Sequence, residues 1–293
     1  MKDKNTRPVI FAILAAILYA LSTPVSKVLM AQIPPSFLAG LLYLGAGFGM
    51  LPISLAKKSG SAFRKIGQKD LPYIIGMVIL DISAPVLLMI ALSKCSAANI
   101  SLINNFEIVA TSLIAYFLFR EKISGKLCFG ITLITVSSLL LSFEGTESLS
   151  FSPYSVFAFL ACISWGFENN CTRKLSECDP SKIVVIKGIG SGSGALLVSH
   201  ILQEEIHLSF FVIGALILGF FAYGLSVYFY VSAQRSLGAA KTSSYYAIAP
   251  FTSALLSIVV LRELQGVSFI VAFVVMIGGM VLVTTDSYLH PQS

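Results

Sequence analysis

The sequence predicts an all-α polytopic membrane protein, and three observations carry that prediction. Only 12% of the 293 residues are charged while 56% are hydrophobic, and the mean hydropathy is +0.86. Soluble domains carry about 25% charged residues, so a chain with half that share cannot present a hydrated surface. Apolar stretches of the roughly 20 residues needed to cross a hydrocarbon core of about 30 Å recur along the chain with little between them. The runs Ile131–Leu141 and Val271–Val283 are apolar without alternation, which excludes outer-membrane strands. A soluble enzyme, a nucleic-acid-binding domain and a disordered regulator are excluded at the same step.

Ten helices are expected, at 8–30, 36–56, 71–92, 98–118, 124–143, 153–172, 181–202, 208–232, 241–261 and 267–286. The segments between them hold the breakers and the charges: Pro34-Pro35, the run Lys57 to Asp70, Arg120-Glu121-Lys122, Glu144 to Pro153, Asp179-Pro180 and Glu204-Glu205. The first stretch follows Lys2, Lys4 and Arg7, but it is too long for a signal-peptide core and lacks a cleavage-like end. It is read as a span. Pro24 and Pro250 are expected to kink spans one and nine, making them candidate gating helices.

Lys and Arg set the orientation. With the N-terminus inside, sixteen of the 20 basic residues fall on the inner face, from Lys2 and Lys4 through Lys57, Lys58, Arg64, Arg120 and Lys122 to Arg235 and Lys241. The outer loops hold only Lys94 and Arg262, beside the acids Glu144, Glu147, Glu204, Glu205 and Glu263. Both termini are therefore expected on the cytoplasmic side of the cell (inner) membrane. The net charge of +6 needs no nucleic acid to explain it. Five cysteines without CxxC spacing (Cys95, Cys128, Cys162, Cys171, Cys178) and three histidines without HExxH (His200, His207, His290) suggest neither a disulfide framework nor a metal site. No cofactor is expected.

The chain repeats itself. Ala91–Glu121 lies on Ala233–Glu263 without a gap, matching Ala97-Ala98 to Ala239-Ala240, Ser101 to Ser243 and Arg120-Glu121 to Arg262-Glu263. Upstream, Pro35-Ser36 lies on Pro180-Ser181, and Gly45, Gly47 and Gly49 fall on Gly190, Gly192 and Gly194. Two units follow, residues 1–143 and 153–293, with five helices each. An odd number per unit inserts the two with opposite orientation. Inverted repeats of this kind are typical of secondary transporters, which bind substrate near mid-membrane between the halves.

Ten helices in two units, and an Ala-Ala opening a helix that ends in Arg-Glu, resemble the EamA-type members of the drug/metabolite transporter superfamily. Ala249-Pro250-Phe251 resembles the proline-containing element of the repeat's fourth helix. The resemblance covers essentially the whole chain and implies an exporter or exchanger of small metabolites, often amino acids, in the cytoplasmic membrane. It names no substrate. The first copy departs from the pattern, with Glu107-Ile108 where the second has Ala249-Pro250.

An ionisable group inside a span costs about 2.5–3.5 kcal/mol on insertion scales and is a functional candidate by default. Asp81, Glu107, Glu168 and Lys187 are of this kind, with Lys27 and Arg173 nearer helix ends and expected to snorkel to the outer and inner interfaces. Ser101, Asn104, Glu107 and Thr111 recur at helical spacing as one polar stripe, which must face the bundle interior or serve as a helix–helix clamp. Ser243, Tyr246, Ala249 and Ser253 form the matching stripe in the second unit. Asp81 reaches a similar depth, with Tyr223 as its repeat mate. Glu107 and Asp81 are candidates for proton coupling or for holding a substrate amine. Glu168 and Lys187 read either as a static ion pair or as partners that exchange during transport. Trp165 and Asn169 lie beside Glu168, and Trp165 reads as an interfacial anchor or a stacking surface. The candidate binding set is thus Asp81, Asn104, Glu107, Thr111, Trp165, Glu168, Asn169, Lys187, Tyr223 and Tyr246.

The expected function is secondary active transport of a small polar metabolite, as an exporter or exchanger, by alternating access around a midplane cavity, with an amino acid or related amine-bearing compound favoured by the mixed charges. Proton coupling is an option. The alternatives are efflux of hydrophobic cations, using Glu107 and the aromatics Tyr19, Trp165, Tyr245, Tyr246 and Phe251, and, remotely, a membrane-embedded enzyme. The expected partners are a small-molecule substrate and the lipid bilayer, as monomer or homodimer.

Overall fold

A computed structural model describes residues 6–56, 64–119, 124–141, 143–144, 150–175, 177–206, 209–237, 242, 245–246, 248–262 and 266–289. Several residues used in the sequence argument lie outside these: Lys2, Lys4, Lys57, Lys58, Arg120, Glu121, Lys122, Glu147, His207, Ala239, Ala240, Lys241, Ser243, Glu263 and His290. Helix is found in each of the ten expected stretches. The elements are α1 (Thr6–Ala20), α2 (Ser22–Leu29), α3 (Pro35–Ala56), α4 (Leu71–Lys94), α5 (Ala97–Ile103), α6 (Phe106–Phe119), α7 (Gly125–Leu140), α8 (Ser155–Leu175), α9 (Pro180–Ile201), α10 (Phe210–Leu218), a π-helical segment (Gly219–Leu225), α11 (Ser226–Leu237), α12 (Ile248–Leu261) and α13 (Val267–Leu289). A two-residue antiparallel ribbon, β1 (Phe143–Glu144) with β2 (Ser150–Phe151), links α7 to α8.

Among the described residues, five helices are long and apolar enough to cross a membrane: Arg7–Leu29, Pro35–Ala56, Gln68–Lys94, Pro180–Ile201 and Phe210–Ala233. Three shorter apolar helices, Cys128–Leu140, Ile248–Leu261 and Val267–Leu282, accompany them. Large apolar side chains such as Phe117, Leu197, Phe210 and Val274 point outward, as a lipid-facing surface requires and a hydrated one does not.

Where regular helix stops, the cause is local. The first span divides at Leu21, because Pro24 has no N–H to give and takes the first turn of α2, where none is needed. Pro250 likewise falls in the first turn of α12. The fourth span was expected to run unbroken, and it does not: Asn104 and Asn105 form a turn between α5 and α6. Asparagine competes with the helix by bonding locally, and the Asn105 amide donates back to the Leu102 carbonyl at 3.2 Å. Asp179 caps α9, accepting from the Ser181 amide at 3.0 Å, with Pro180 at the first helical position.

The helices pair across the two sequence halves. Exchanging each helical unit with the one five later maps α4–α8 onto α11–α1, α6–α8 onto α12–α1, and the pairing of α3 with the π-helical segment onto α9–α4. The pairs α3–α9, α5–α12 and α7–α13 map onto themselves. Every one of these pairings is present.

The α3–α9 contact brings two backbones close together. A Cβ built on Gly188 would lie 2.4 Å from the Gly47 amide nitrogen, and one on Gly47 would lie 2.7 Å from the Ile189 nitrogen. Only glycine lets two backbones approach so closely, and without a hydrophobic drive between helices in lipid that approach is what supplies packing energy. Both ends of this pair are also tied. At one end the Glu204 carboxylate accepts from the Ser36 and Phe37 amides at 3.0 and 2.9 Å, at the N-terminus of α3, and from the Ser199 hydroxyl at 2.8 Å. At the other, Arg64 forks onto Asp70 at 2.8 and 2.7 Å and its amide donates to the Glu177 carbonyl at 3.1 Å, just before α9.

Lys27 does not snorkel. Its ammonium donates to the carbonyls of Leu92 and, at 2.6 Å, Cys95, at the C-terminal end of α4. The negative end of a helix with unbonded carbonyls is a better partner for a half-buried cation than the interface above it.

Gly188→Ala is predicted to destabilise the fold by about 1–3 kcal/mol through overpacking, seen as a lower unfolding temperature in detergent. Gly278→Ala, where an added Cβ meets nothing within 4 Å, is predicted to leave that temperature unchanged.

Candidate functional site

The four ionisable residues singled out inside spans lie on four helices that pack together. Asp81 projects from α4, Glu107 from α6, Glu168 from α8 and Lys187 from α9. Asp81 is fully buried, while Glu168 and Lys187 are 2% and 8% exposed. The Lys187 ammonium sits 3.0 Å from Asp81 Oδ2 and 3.1 Å from Glu168 Oε1. The expected Glu168–Lys187 pair is therefore a triad, with the third member contributed by the first half of the chain.

Each carboxylate has neutral support. The Tyr43 hydroxyl donates to Asp81 Oδ1 at 3.1 Å, and the Thr172 hydroxyl, one turn after Glu168 on α8, donates to Glu168 Oε1. Glu107 is held apart from the ammonium, its Oε1 taking a 2.6 Å hydrogen bond from the Asn169 amide. Glu168 and Asn169 are neighbours on α8, so one turn of that helix addresses both acid positions. Thr111 turns away from them and donates to the Glu107 backbone carbonyl at 2.8 Å. Of the matching stripe, Ser253 meets Ser101 at 3.0 Å across the α5–α12 contact. That is the clamp expected of small polar residues.

A row of phenols lies beside these charges. Ring centroids are 5.2 Å apart for Tyr43–Tyr223, 5.8 Å for both Tyr19–Tyr223 and Tyr19–Tyr246, and 4.9 Å for Tyr230–Tyr246. Tyr223 belongs to the π-helical segment, whose extra residue re-aims side chains and recurs at functional positions. Its hydroxyl accepts from Ser22 at 2.8 Å. Asp81 and its repeat mate Tyr223 thus flank Tyr43 from the two halves. Trp165 is buried at 7% exposure within the apolar core, so the interfacial-anchor reading is corrected. An indole on the inward face of α8 gains more from core packing than from the membrane surface.

Sequence reasoning missed Tyr43, Thr172 and Ser22. The signal was present for Tyr43, since a phenol inside an apolar span has to find a partner for its hydroxyl.

With this geometry in place, comparison with known proteins decides the family. The EamA-like transporter family matches residues 6–143 and again 152–285. The chain belongs to the EamA-like transporter family, a branch of the drug/metabolite transporter superfamily. It is 25% identical over 282 residues to an uncharacterized transporter of Methanothermobacter thermautotrophicus, covering 88% of this chain and 82% of that one. An uncharacterized transporter of Clostridium kluyveri is 23% identical over 295 residues, covering 93% and 91%. A solved crystal structure shares the fold with a TM-score of 0.71 at 16% identity, over 99% of this chain and 100% of that one. Family and relatives point to a multi-pass membrane transporter and not to an enzyme.

The triad predicts an order of damage. Lys187→Ala strands two buried carboxylates and is expected to cost about 3–5 kcal/mol, whereas Asp81→Asn leaves a one-to-one Glu168–Lys187 pair and costs much less. Thermal unfolding of the two variants in detergent measures the difference. Equal losses would refute the shared-cation arrangement.

Proposed function

We propose that this protein is a secondary active transporter of a small amine-bearing metabolite, an amino acid or a related compound, working by alternating access as an exporter or exchanger. One observation carries the reading: two buried acids, Asp81 and Glu168, meet the Lys187 ammonium from both halves of the chain, and a third acid, Glu107, is joined to the next residue of α8, Asn169. With all four ionised the cluster holds three negative charges and one positive. A low-dielectric interior penalises that excess, and an incoming ammonium group or protons offset it. Lys187 is already shared by two carboxylates, so an anionic substrate has to displace one of them first. The balance favours amines and makes coupling to protons at Glu107 or Asp81 part of the proposal.

The exchange pattern of helix contacts supports reading residues 1–143 and 153–293 as inverted repeats that trade roles between inward-open and outward-open states. Both termini on the cytoplasmic side of the cell membrane, a position inferred from the basic loops, belong to the same reading. A second reading, efflux of hydrophobic cations, is favoured by the tyrosine row, since aromatic faces attract cations.

Flux in proteoliposomes tests both. Labelled amino acids or small amines are expected to cross at a rate that an imposed pH gradient changes, and Glu107→Gln is expected to lower the initial rate about tenfold, the scale of one lost charge-assisted contact. Movement of a lipophilic cation alone, with amines ignored, would favour the second reading. A protein that moves neither contradicts the proposal.

A further inference from the structure

The break in the fourth span leaves a set of buried oxygen acceptors beside Glu107. Asn104 and Asn105 are 7% and 1% exposed, and among the described residues the side-chain oxygens of both have no hydrogen-bond partner. The Asn105 amide is oriented by its bond to the Leu102 carbonyl at 3.2 Å, which fixes its oxygen as the unpaired atom. The backbone ladder changes step here. The Asn105 amide serves Leu102 at 3.0 Å and the Glu107 amide serves Asn104 at 3.1 Å. In an unbroken helix those two amides would serve the Ser101 and Ile103 carbonyls. Ile103 is left with the Cys162 thiol at 3.6 Å, a weak donor. The Glu107 carboxylate follows one turn later, with the Asn169 amide on its Oε1.

Buried acceptors without donors are costly, and native proteins fill such places with a donor or an ion. Interrupted membrane helices present the unsatisfied carbonyls of one half-helix to cations. The break lies seven to eight residues from Ala97, about 10–12 Å into the span at 1.5 Å per residue, where bulk water does not compete. Amide and carbonyl oxygens around a single carboxylate suit one positive charge. A calcium or magnesium site calls for more carboxylates or retained water.

We propose that the Asn104–Asn105 break, together with Glu107, binds a dehydrated monovalent cation, either a sodium ion or the ammonium group of a substrate. That the ion drives transport or is transported rests on the proposed function; that it binds does not. In the bound state the Asn104 and Asn105 oxygens, the Ile103 carbonyl and Glu107 replace part of its hydration shell. The site asks nothing of Lys187, which its own two carboxylates hold.

The test is thermal unfolding of the purified full-length chain in detergent, titrated with sodium chloride in one arm and ethylammonium chloride in another. Magnesium chloride at matched ionic strength is the control for screening. One arm or both is expected to give a saturable rise in unfolding temperature, on the order of 5 °C at 100 times the dissociation constant. Sodium alone identifies an inorganic ion, and ethylammonium alone identifies a substrate head group. Asn104→Ala and Glu107→Gln are expected to weaken the apparent affinity at least about tenfold. Asn104→Asp, which keeps the side-chain shape and adds charge, is expected to strengthen it and serves if the alanine variant does not fold. No saturable shift in either arm, or an affinity unchanged in both Asn104→Asp and Glu107→Gln, overturns the proposal. Saturable binding in a protein that carries no labelled amine or lipophilic cation leaves this site standing and removes the transport reading instead.

Discussion

An ammonium group taken out of water has to be met by carboxylates, and in this chain that requirement brings together helices distant in sequence. Lys187 on α9 is reached by Asp81 from α4 and by Glu168 from α8. Stripping water from an ion costs several kcal/mol even after the protein relaxes, so these helices can pack together only where all three side chains meet at one depth. The α4–α8 and α4–α9 contacts, Tyr43 on α3 and Thr172 on α8 follow from that meeting point. Apolar packing alone would permit many rotations of a uniformly hydrophobic helix. One buried ion cluster selects among them.

Around this cluster the helices are least regular. The division at Leu21, the turn at Asn104–Asn105 and the π-helical segment at Gly219–Leu225 all lie in elements that touch the polar centre. A straight span presents a stripe of side chains, whereas an interrupted one also presents backbone polar groups and a re-aimed residue such as Tyr223. The departures from ideal helix and the concentration of charge are thus two sides of one arrangement.

Much of the fold was legible because long apolar runs and Pro, Gly and charged breakers act locally. Helix lies in every stretch the sequence marked, and α3, α4 and α9 start or end within one or two residues of expectation. The acids and Lys187 were legible too, because a charge inside a span is too costly to be retained without a partner or a task. The rest depended on who meets whom in space. Nothing local says that Asp81 reaches Lys187, that Trp165 turns inward to the core, or that Lys27 finds the carbonyl end of α4. The interruption at Asn104–Asn105 was hidden by an apparently continuous polar stripe, whose spacing a helix with a one-residue change of step imitates closely.

The Gly47–Gly188 contact has a geometric consequence. Two backbones this close leave no room for a side chain between them, so the angle at which they cross is set by the backbones themselves. The crossing of α3 and α9 is set by this glycine contact, with the Glu204 carboxylate tied at one end and Arg64 at the other. Contacts at both ends of so close a crossing fix the angle of α3 to α9 more firmly than the glycines could alone.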